Sequence, residues 1–104
     1  MKNREASLDE MAALLAVMND KELIRGFLDS LLTPREVFDL AGRWELVKLL
    51  DEGWTQRDIA THLGMSLCKI TRGARELRRP DAPFRRVLRM REKLAVIREK
   101  AERG

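Results

Sequence analysis

Apolar residues recur every three or four positions along most of the chain, and no segment alternates between apolar and polar residues as a strand does. Helix start signals divide this pattern into six segments, because a capping residue or a proline precedes each apolar run. These signals are Ser7, Asn19 or Asp20, Thr33, Thr55, Ser66 and Pro83. The pattern therefore predicts an all-α fold with six helices.

The first two predicted helices are strongly apolar. Ser7 and Glu10 are spaced as a capping box, and residues 8–18 are apolar over most of the helix circumference. Asn19 or Asp20 can cap the second helix. Its apolar positions follow helical spacing and are Leu23, Ile24, Phe27, Leu28, Leu31 and Leu32.

A third helix is marked by the sequence TPRE. Thr33 is a typical N-cap, Pro34 suits the first helical position and Glu36 completes a capping box. The helix is predicted to continue to about Asp51 and to end at Gly53. Its predicted inner face consists of Val37, Leu40, Ala41, Trp44, Val47 and Leu50.

The segment from Thr55 to Arg79, TQRDIATHLGMSLCKITRGARELRR, contains two short helical patterns hinged at Gly64. Thr55 with Asp58 fits a capping box, Ser66 can cap the second helix, and Gly64 suits a left-handed C-cap. The predicted inner faces are Ile59, Ala60 and Leu63, then Leu67, Ile70 and Leu77. This arrangement favours a helix-turn-helix, which places its second helix in the DNA major groove, over an ordinary helical hairpin with a solvated basic face.

Charge is distributed unevenly along the 104 residues, although the net charge of +4 is modest. Residues 1–54 contain seven Lys or Arg and eleven Asp or Glu, whereas residues 55–104 contain fourteen and six. The basic second half indicates a surface for a polyanion, of which nucleic acid is the first candidate. The predicted outer face of the second motif helix carries Lys69, Thr71, Arg72, Arg75, Arg78 and Arg79.

The apolar stripes of the first, second and sixth predicted helices exceed what one small monomer can cover. A homodimer would bury the excess and hold two recognition helices at a fixed separation. A monomer with the first helix folded back is the alternative. We predict one domain with dimerisation helices in residues 1–53, the helix-turn-helix in residues 54–79 and a basic helix in residues 80–104.

Other functions have little support among the residues. No apolar run is long enough to span a membrane, and MKNREASLDE lacks the core of a signal peptide, which predicts a cytoplasmic protein. No catalytic triad, acid–base pair or phosphate-binding glycine loop indicates an enzyme. His62 lacks neighbouring metal ligands, and the single Cys68 has no partner for an internal disulfide. A basic helical interaction module for an acidic protein or RNA is the alternative function.

The segment from Leu31 to Leu77 resembles the Trp repressor family. The most specific parts are LTP at the start of the third helix, the Gln-Arg pair that opens the first motif helix, and ITRG within the second. The resemblance implies a six-helix, intertwined homodimer that represses transcription from a palindromic double-stranded operator, with L-tryptophan as co-repressor. A related regulator without tryptophan control is the alternative.

The resemblance also implies a ligand site between the core and the motif. Two guanidinium groups would sandwich the indole, one of them would hold the carboxylate with a threonine, two backbone carbonyls would take the ammonium, and a glycine would leave room beside the ring. Guanidinium groups suit both stacking and carboxylate binding, and carbonyls at a helix C-terminus suit a cation. Arg43 and Arg72 would supply the two guanidinium groups, and Arg72 with Thr33 would hold the carboxylate. The two carbonyls would be those of Ser30 and Leu32, and the glycine is Gly73. Arg72 is accordingly expected to face Thr33 and Arg43.

Two departures from the family pattern concern this site. The family's typical RGSNSL is RGAREL here, so Glu76 replaces the serine that would contact the ligand's amino group. Its carboxylate can bind that ammonium, or it can pair with a ligand-site arginine and fill the site. One residue is also missing at the turn before the motif. For Arg43, a salt bridge to Asp39 or Glu36 along the helix is the alternative role.

The resemblance assigns DNA contacts in three classes. Base edges would be read from the start of the first motif helix and the tip of the second, phosphates would be held near the helix N-termini, and further arginines would add non-specific charge. The residues are Arg57, Leu67, Cys68 and Lys69 for bases, Gln56 and Thr71 for phosphates, and Arg75, Arg78 and Arg79 for charge.

Overall fold

The computed structural model describes residues 2–103 and contains six α-helices. They are α1 (Lys2–Val17), α2 (Lys21–Leu31), α3 (Pro34–Asp51), α4 (Gln56–Leu63), α5 (Leu67–Arg78) and α6 (Pro83–Arg103). No strand occurs in the described part of the chain, so the predicted all-α fold is confirmed.

Capping residues define the start of α2 and α3 as predicted. The Asp20 carboxylate accepts hydrogen bonds from the backbone N–H groups of Glu22 and Leu23. At α3 the capping box is complete: the Glu36 N–H donates to Thr33 Oγ1 at 3.1 Å, and the Thr33 N–H donates to Glu36 Oε1 at 2.9 Å. These bonds satisfy donors that a helix N-terminus otherwise leaves without a partner.

The predicted capping box at the start of α1 is wrong. The helix begins at Lys2, so Ser7 lies inside it rather than at its N-cap. The residues before Ser7 include good helix formers, and Glu5 in the first turn interacts favourably with the helix dipole. The helix therefore extends through the serine.

The chain divides into two compact units, residues 1–39 and 40–104. The first contains α1, α2 and the start of α3, with salt bridges from Arg25 to Asp29 and from Arg35 to Asp39. No side chain between residues 4 and 39 is buried in the single chain. Large apolar side chains there are open to solvent, including Leu8, Leu14, Val17, Leu23 and Phe38.

The second unit contains the core. One cluster joins α3, α4 and α5 through Leu46, Leu49, Ile59 and Ile70. A second joins α3, α5 and α6 through Val47, Leu77 and Leu88, with Trp44 and Phe84 packed against it. Both clusters lie along the second half of α3, which is therefore the central helix of this unit.

The predicted inner face of α3 is only partly correct. Val47 is buried and Trp44 and Leu50 are half-buried, but Leu40 and Ala41 are exposed in the single chain. Leu46 and Leu49, which the pattern did not select, are buried because α4 and α5 cover a second side of the helix. No helix in residues 2–103 is long and apolar enough to cross a membrane.

Candidate nucleic-acid interface and adjoining pocket

Two capped helices joined at Gly64 form the candidate nucleic-acid interface. Thr55 Oγ1 accepts the Asp58 N–H at 3.1 Å, and Ser66 Oγ accepts the Lys69 N–H at 3.5 Å. Gly64 adopts φ 64° and ψ 35°, the left-handed conformation predicted for the turn. Ile59 in α4 is fully buried against α3, as is Ile70 in α5. The predicted pair of helices is thus present and anchored on one core.

A side-chain hydrogen bond joins the first turn of α4 to α5. Thr71 Oγ1 donates to Gln56 Oε1 at 2.9 Å, between residues that are fifteen positions apart in sequence. Arg57, next to this bond, is exposed. The two residues predicted to contact phosphates therefore lie side by side, and the bond holds the N-terminus of α4 against α5.

The side chains of α5 are distributed over three sides of the helix. Its buried side packs on the core and consists of Ile70, Gly73, Ala74 and Leu77. A second, exposed side follows spacing of three and four residues and carries Cys68, Thr71, Arg75 and Arg78. This is the side that Gln56 joins, so the predicted phosphate contacts share one surface with Arg75 and Arg78.

The third side of α5 lines a pocket. The pocket has a volume of about 400 Å³ and lies between α3, α5 and the start of α6. Four predicted ligand residues meet there, and Lys69, predicted only for DNA, also lines it. The walls are formed by Arg43, Leu46, Val47, Lys69, Arg72, Gly73, Glu76 and Phe84. Three cationic side chains and one carboxylate therefore face an apolar base, and Arg72, although exposed, belongs to the pocket side of α5.

Gly73 allows close packing between α5 and α3. A Cβ atom at this position would lie 3.1 Å from Leu46 Cδ2, closer than side chains normally approach. The absence of a side chain therefore serves the helix contact itself, in addition to the room beside a ligand that the resemblance implies.

The Glu76 carboxylate pairs with a residue outside the pocket. Arg79 Nη1 lies 3.0 Å from Glu76 Oε2; the Arg79 side chain is exposed, and Glu76 is half-buried. Within residues 2–103, Glu76 forms no ion pair with Arg43 or Arg72. The carboxylate lines the pocket without neutralising either guanidinium.

Arg43 is also separate from the carboxylates expected to compete for it. Asp39 pairs with Arg35 at 3.3 Å, and Glu36 accepts the backbone N–H of Thr33. No ion pair of Arg43 occurs in the described part of the chain. Arg43 is exposed and lines the pocket.

The remaining predicted ligand residues belong to the first unit, at the end of α2. Ser30 lies in the last turn of α2, and the residue four positions on is Pro34, which has no N–H to donate to the Ser30 carbonyl. Leu32 forms the C-cap, and its N–H donates to the Leu28 carbonyl. Thr33 Oγ1 accepts from Glu36 and retains its hydroxyl hydrogen for a further acceptor.

The resemblance did not identify the apolar walls of the pocket. Leu46, Val47 and Phe84 line it, and the apolar pattern of α3 and α6 was the available signal for Val47 and Phe84. A further contact unforeseen in the sequence holds α6 in place. Arg85 Nε donates to the Leu77 carbonyl at 2.9 Å and so satisfies an acceptor at the end of α5.

Trp54 links the end of α3 to α4. Its backbone N–H donates to the Leu49 carbonyl at 3.1 Å, and its ring centroid lies 5.1 Å from that of His62, with the planes tilted by 52°. The tryptophan is 39% exposed. It thus joins the motif to α3 from a surface position.

The family model and the similar proteins found by comparison indicate the same family. A family model described as Trp repressor protein matches residues 6–92. A Trp operon repressor homolog from Chlamydia trachomatis is 33% identical over 90 residues, which cover 85% of this chain and 96% of that protein. One from Xylella fastidiosa is 33% identical over 76 residues, covering 72% and 83%, and one from Chlamydia caviae is 32% identical over 89 residues, covering 85% and 88%. No solved structure matches the chain significantly.

Proposed function

The chain belongs to the Trp repressor family, and from this premise we propose that it represses transcription by binding operator DNA through α4 and α5. The observation that carries the proposal is the capped helix pair joined at Gly64, with one side of α5 buried and another basic and exposed. A helix with this arrangement can enter the major groove while its partner helix crosses the backbone.

DNA contacts divide between the helix tips and the exposed side of α5. We assign base contacts to Arg57, Leu67, Cys68 and Lys69, which lie in the first turns of α4 and α5. The joined pair Gln56 and Thr71 would hold phosphates. Further charge comes from Arg75, Arg78 and Arg79. Arg79 should contribute least of these, because Glu76 already pairs with it.

Binding measurements on two DNA duplexes test this division. One is a duplex that the wild-type protein selects from a random-sequence library, and the other has the same bases in scrambled order. Lys69→Ala should weaken binding to the selected duplex by about 1–3 kcal/mol and leave the scrambled duplex nearly unaffected. Arg78→Ala should weaken both equally and lower the slope of log K against log salt by about one unit. Arg103→Ala at the end of α6 removes the same charge and serves as the control, with little effect on either duplex. Equal losses on both duplexes for Lys69→Ala and Arg78→Ala would refute the division.

We propose further that the repressor is a homodimer. Residues 4–39 bury no side chain in the single chain, and Val17 and Phe38 are 77% and 66% exposed. A second copy would cover these residues and supply the second recognition helix of a two-fold operator. Residues 1–53 would then form the dimer contacts, and residues 54–79 would bind DNA as the helix-turn-helix. Residues 80–104 would form the basic C-terminal helix. Sedimentation equilibrium tests this, and a monomer at micromolar concentration contradicts it.

For the effector we propose L-tryptophan bound in the pocket between α3 and α5. The pocket has a size that suits small ligands, with two guanidinium groups and an apolar base formed by Leu46, Val47 and Phe84. Arg43 and Arg72 would sandwich the indole, Arg72 with Thr33 would hold the carboxylate, and the carbonyls of Ser30 and Leu32 would take the ammonium. Gly73 would leave room beside the ring. The Glu76 carboxylate would bind the ammonium of the ligand.

Calorimetric titration of L-tryptophan tests the effector with a matched pair of variants. Arg72→Ala should abolish binding, whereas Arg75→Ala removes the same group from the other exposed side of α5 and should leave binding intact. Equal losses in both variants would contradict a specific role for Arg72.

A regulator without tryptophan control is the second candidate, and the carboxylate of Glu76 in the pocket favours it. The variant Glu76→Ser restores the family's serine. No heat from the wild type combined with binding by Glu76→Ser would identify Glu76 as the residue that excludes tryptophan. No binding by either protein would remove the co-repressor proposal and leave DNA recognition to be judged by the duplex measurements.

A further inference from the structure

Lys69 lies where the proposed DNA surface and the pocket meet. Its backbone is fixed in the first turn of α5, because its N–H donates to Ser66 Oγ and the next residue, Ile70, is fully buried. Its side chain is exposed and lines the pocket between α3 and α5. A lysine ammonium on its long flexible stem can change partners while the helix stays in place. One side chain can therefore serve both the DNA surface and the pocket.

Cations outnumber carboxylates in the pocket, and all of its lining residues belong to the second unit. Lys69, Arg72 and Glu76 follow one another at intervals of three and four residues, which places them on one side of α5. Arg43 lines the same pocket from α3. The Glu76 carboxylate lies about two turns from Lys69 and pairs with Arg79. Lys69 takes part in no ion pair within the described part of the chain, so its ammonium is available to an anion.

The base of the pocket is apolar. Leu46 and Val47 are 3% and 1% exposed, and the half-buried Phe84 also lines the pocket. A ligand that suits both the base and the cations has an apolar ring and a carboxylate. Its two oxygens can accept from Arg72 and from Lys69 at the same time. Next to apolar side chains the effective dielectric constant is lower than in water, which strengthens such charged contacts.

We propose that Lys69 is shared between ligand and DNA: its ammonium binds the carboxylate of an apolar acid in the pocket, and in the absence of that acid it contacts a base edge. This sharing rests on the function proposed above, which gives Lys69 a base contact and the pocket an effector. Because base edges lie outside the pocket, the ammonium makes one contact or the other. The acid therefore removes one base contact and changes the base preference at that position, and by linkage the base contact weakens binding of the acid.

Calorimetric titration of the full chain without DNA tests the ligand contact. The ligands are L-tryptophan, indole-3-propionate, which keeps the ring and the carboxylate but lacks the ammonium, and tryptamine, which lacks the carboxylate. Lys69→Met keeps the stem and removes the charge, so it should weaken binding of both carboxylates about tenfold without weakening that of tryptamine, and Lys69→Arg should restore most of the loss. Lys93→Met is the control, because it removes the same ammonium from an exposed position on α6, and it should change binding less than about twofold.

Duplex binding with and without saturating indole-3-propionate tests the competition. In the wild type the ratio of affinities for the selected and the scrambled duplex should fall about tenfold when the acid is added. In Lys69→Met the ratio should already be low, and the acid should change it less than about twofold. The wild type with the acid should thus resemble the variant in base preference, whatever the acid does to overall affinity.

Equal binding of indole-3-propionate by the wild type and by Lys69→Met would overturn the proposal, and so would a fall in the affinity ratio of the same size in both proteins. A wild type that binds neither carboxylate would overturn it together with the co-repressor proposal, and a wild type that prefers no duplex would overturn it together with the base contact. If Lys69→Met binds L-tryptophan as the wild type does and the wild type still prefers the selected duplex, only the shared role of Lys69 is refuted and the proposed repressor stands.

Discussion

Replacing Gly64 tests the turn that joins α4 and α5. Its φ of 64° is rarely adopted by residues with a side chain. A Cβ atom built there meets no other atom within 4 Å, so Gly64→Ala introduces no steric contact. The cost is conformational and should be roughly 1–2 kcal/mol. Gly26→Ala is the matched control: its Cβ is equally free of contacts, but the residue lies inside α2, where alanine should stabilise the helix by about 1 kcal/mol.

Urea unfolding followed by helical circular dichroism measures both changes. Because a dimer's stability depends on concentration, all variants are compared at one protomer concentration. The unfolding midpoint should fall for Gly64→Ala and rise for Gly26→Ala, with unchanged slopes. Gly64→Asn should lose less than Gly64→Ala, since asparagine tolerates the left-handed conformation. A midpoint for Gly64→Ala equal to or above that of the wild type would refute the turn geometry.

Three further variants probe the second unit and the start of α3. Ile59→Ala removes a fully buried side chain between α3 and α5, and the free energy of unfolding should fall by about 2–5 kcal/mol in the same urea assay. Thr33→Ala removes one hydrogen bond of the capping box and should cost about 0.5–2 kcal/mol, while Thr33→Ser should restore most of it. Arg85→Ala removes the bond to the Leu77 carbonyl and should cost about 0.5–1.5 kcal/mol, whereas Arg86→Ala, next to it and without that bond, should be nearly neutral.

Helix ends were the most predictable part of the fold, because they depend on local chemistry. Asp20, Thr33, Thr55 and Ser66 cap their helices as the sequence indicated, and Gly64 is left-handed. The start of α1 was not predictable in the same way. A serine with a glutamate three residues on fits an N-terminus, but it is also tolerated inside a helix when the preceding residues continue it.

Burial on α3 depends on tertiary packing and was predicted less well. A single apolar stripe was expected, yet the second half of α3 is covered from more than one side, so Leu46 and Leu49 are buried in addition to Val47. Leu40, expected inside, is exposed in the single chain.

The pocket shows the same division between local and long-range information. The resemblance placed Arg43, Arg72, Gly73 and Glu76 in one site, and all four line one pocket. Phe84 was not assigned to it, because its position depends on the turn between α5 and α6, in which Asp81 adopts a φ of 55°. The pairing of Glu76 with Arg79 likewise depends on rotamers that no sequence pattern specifies.

Selection of duplexes from a random-sequence library by the wild type and by Lys69→Ala tests most directly whether α5 reads DNA. The wild type should enrich a two-fold symmetric site, and Lys69→Ala should change the base preference at equivalent positions in both half-sites. Failure of the wild-type protein to enrich any sequence, or enrichment of an identical site by Lys69→Ala, would contradict recognition by the tip of α5.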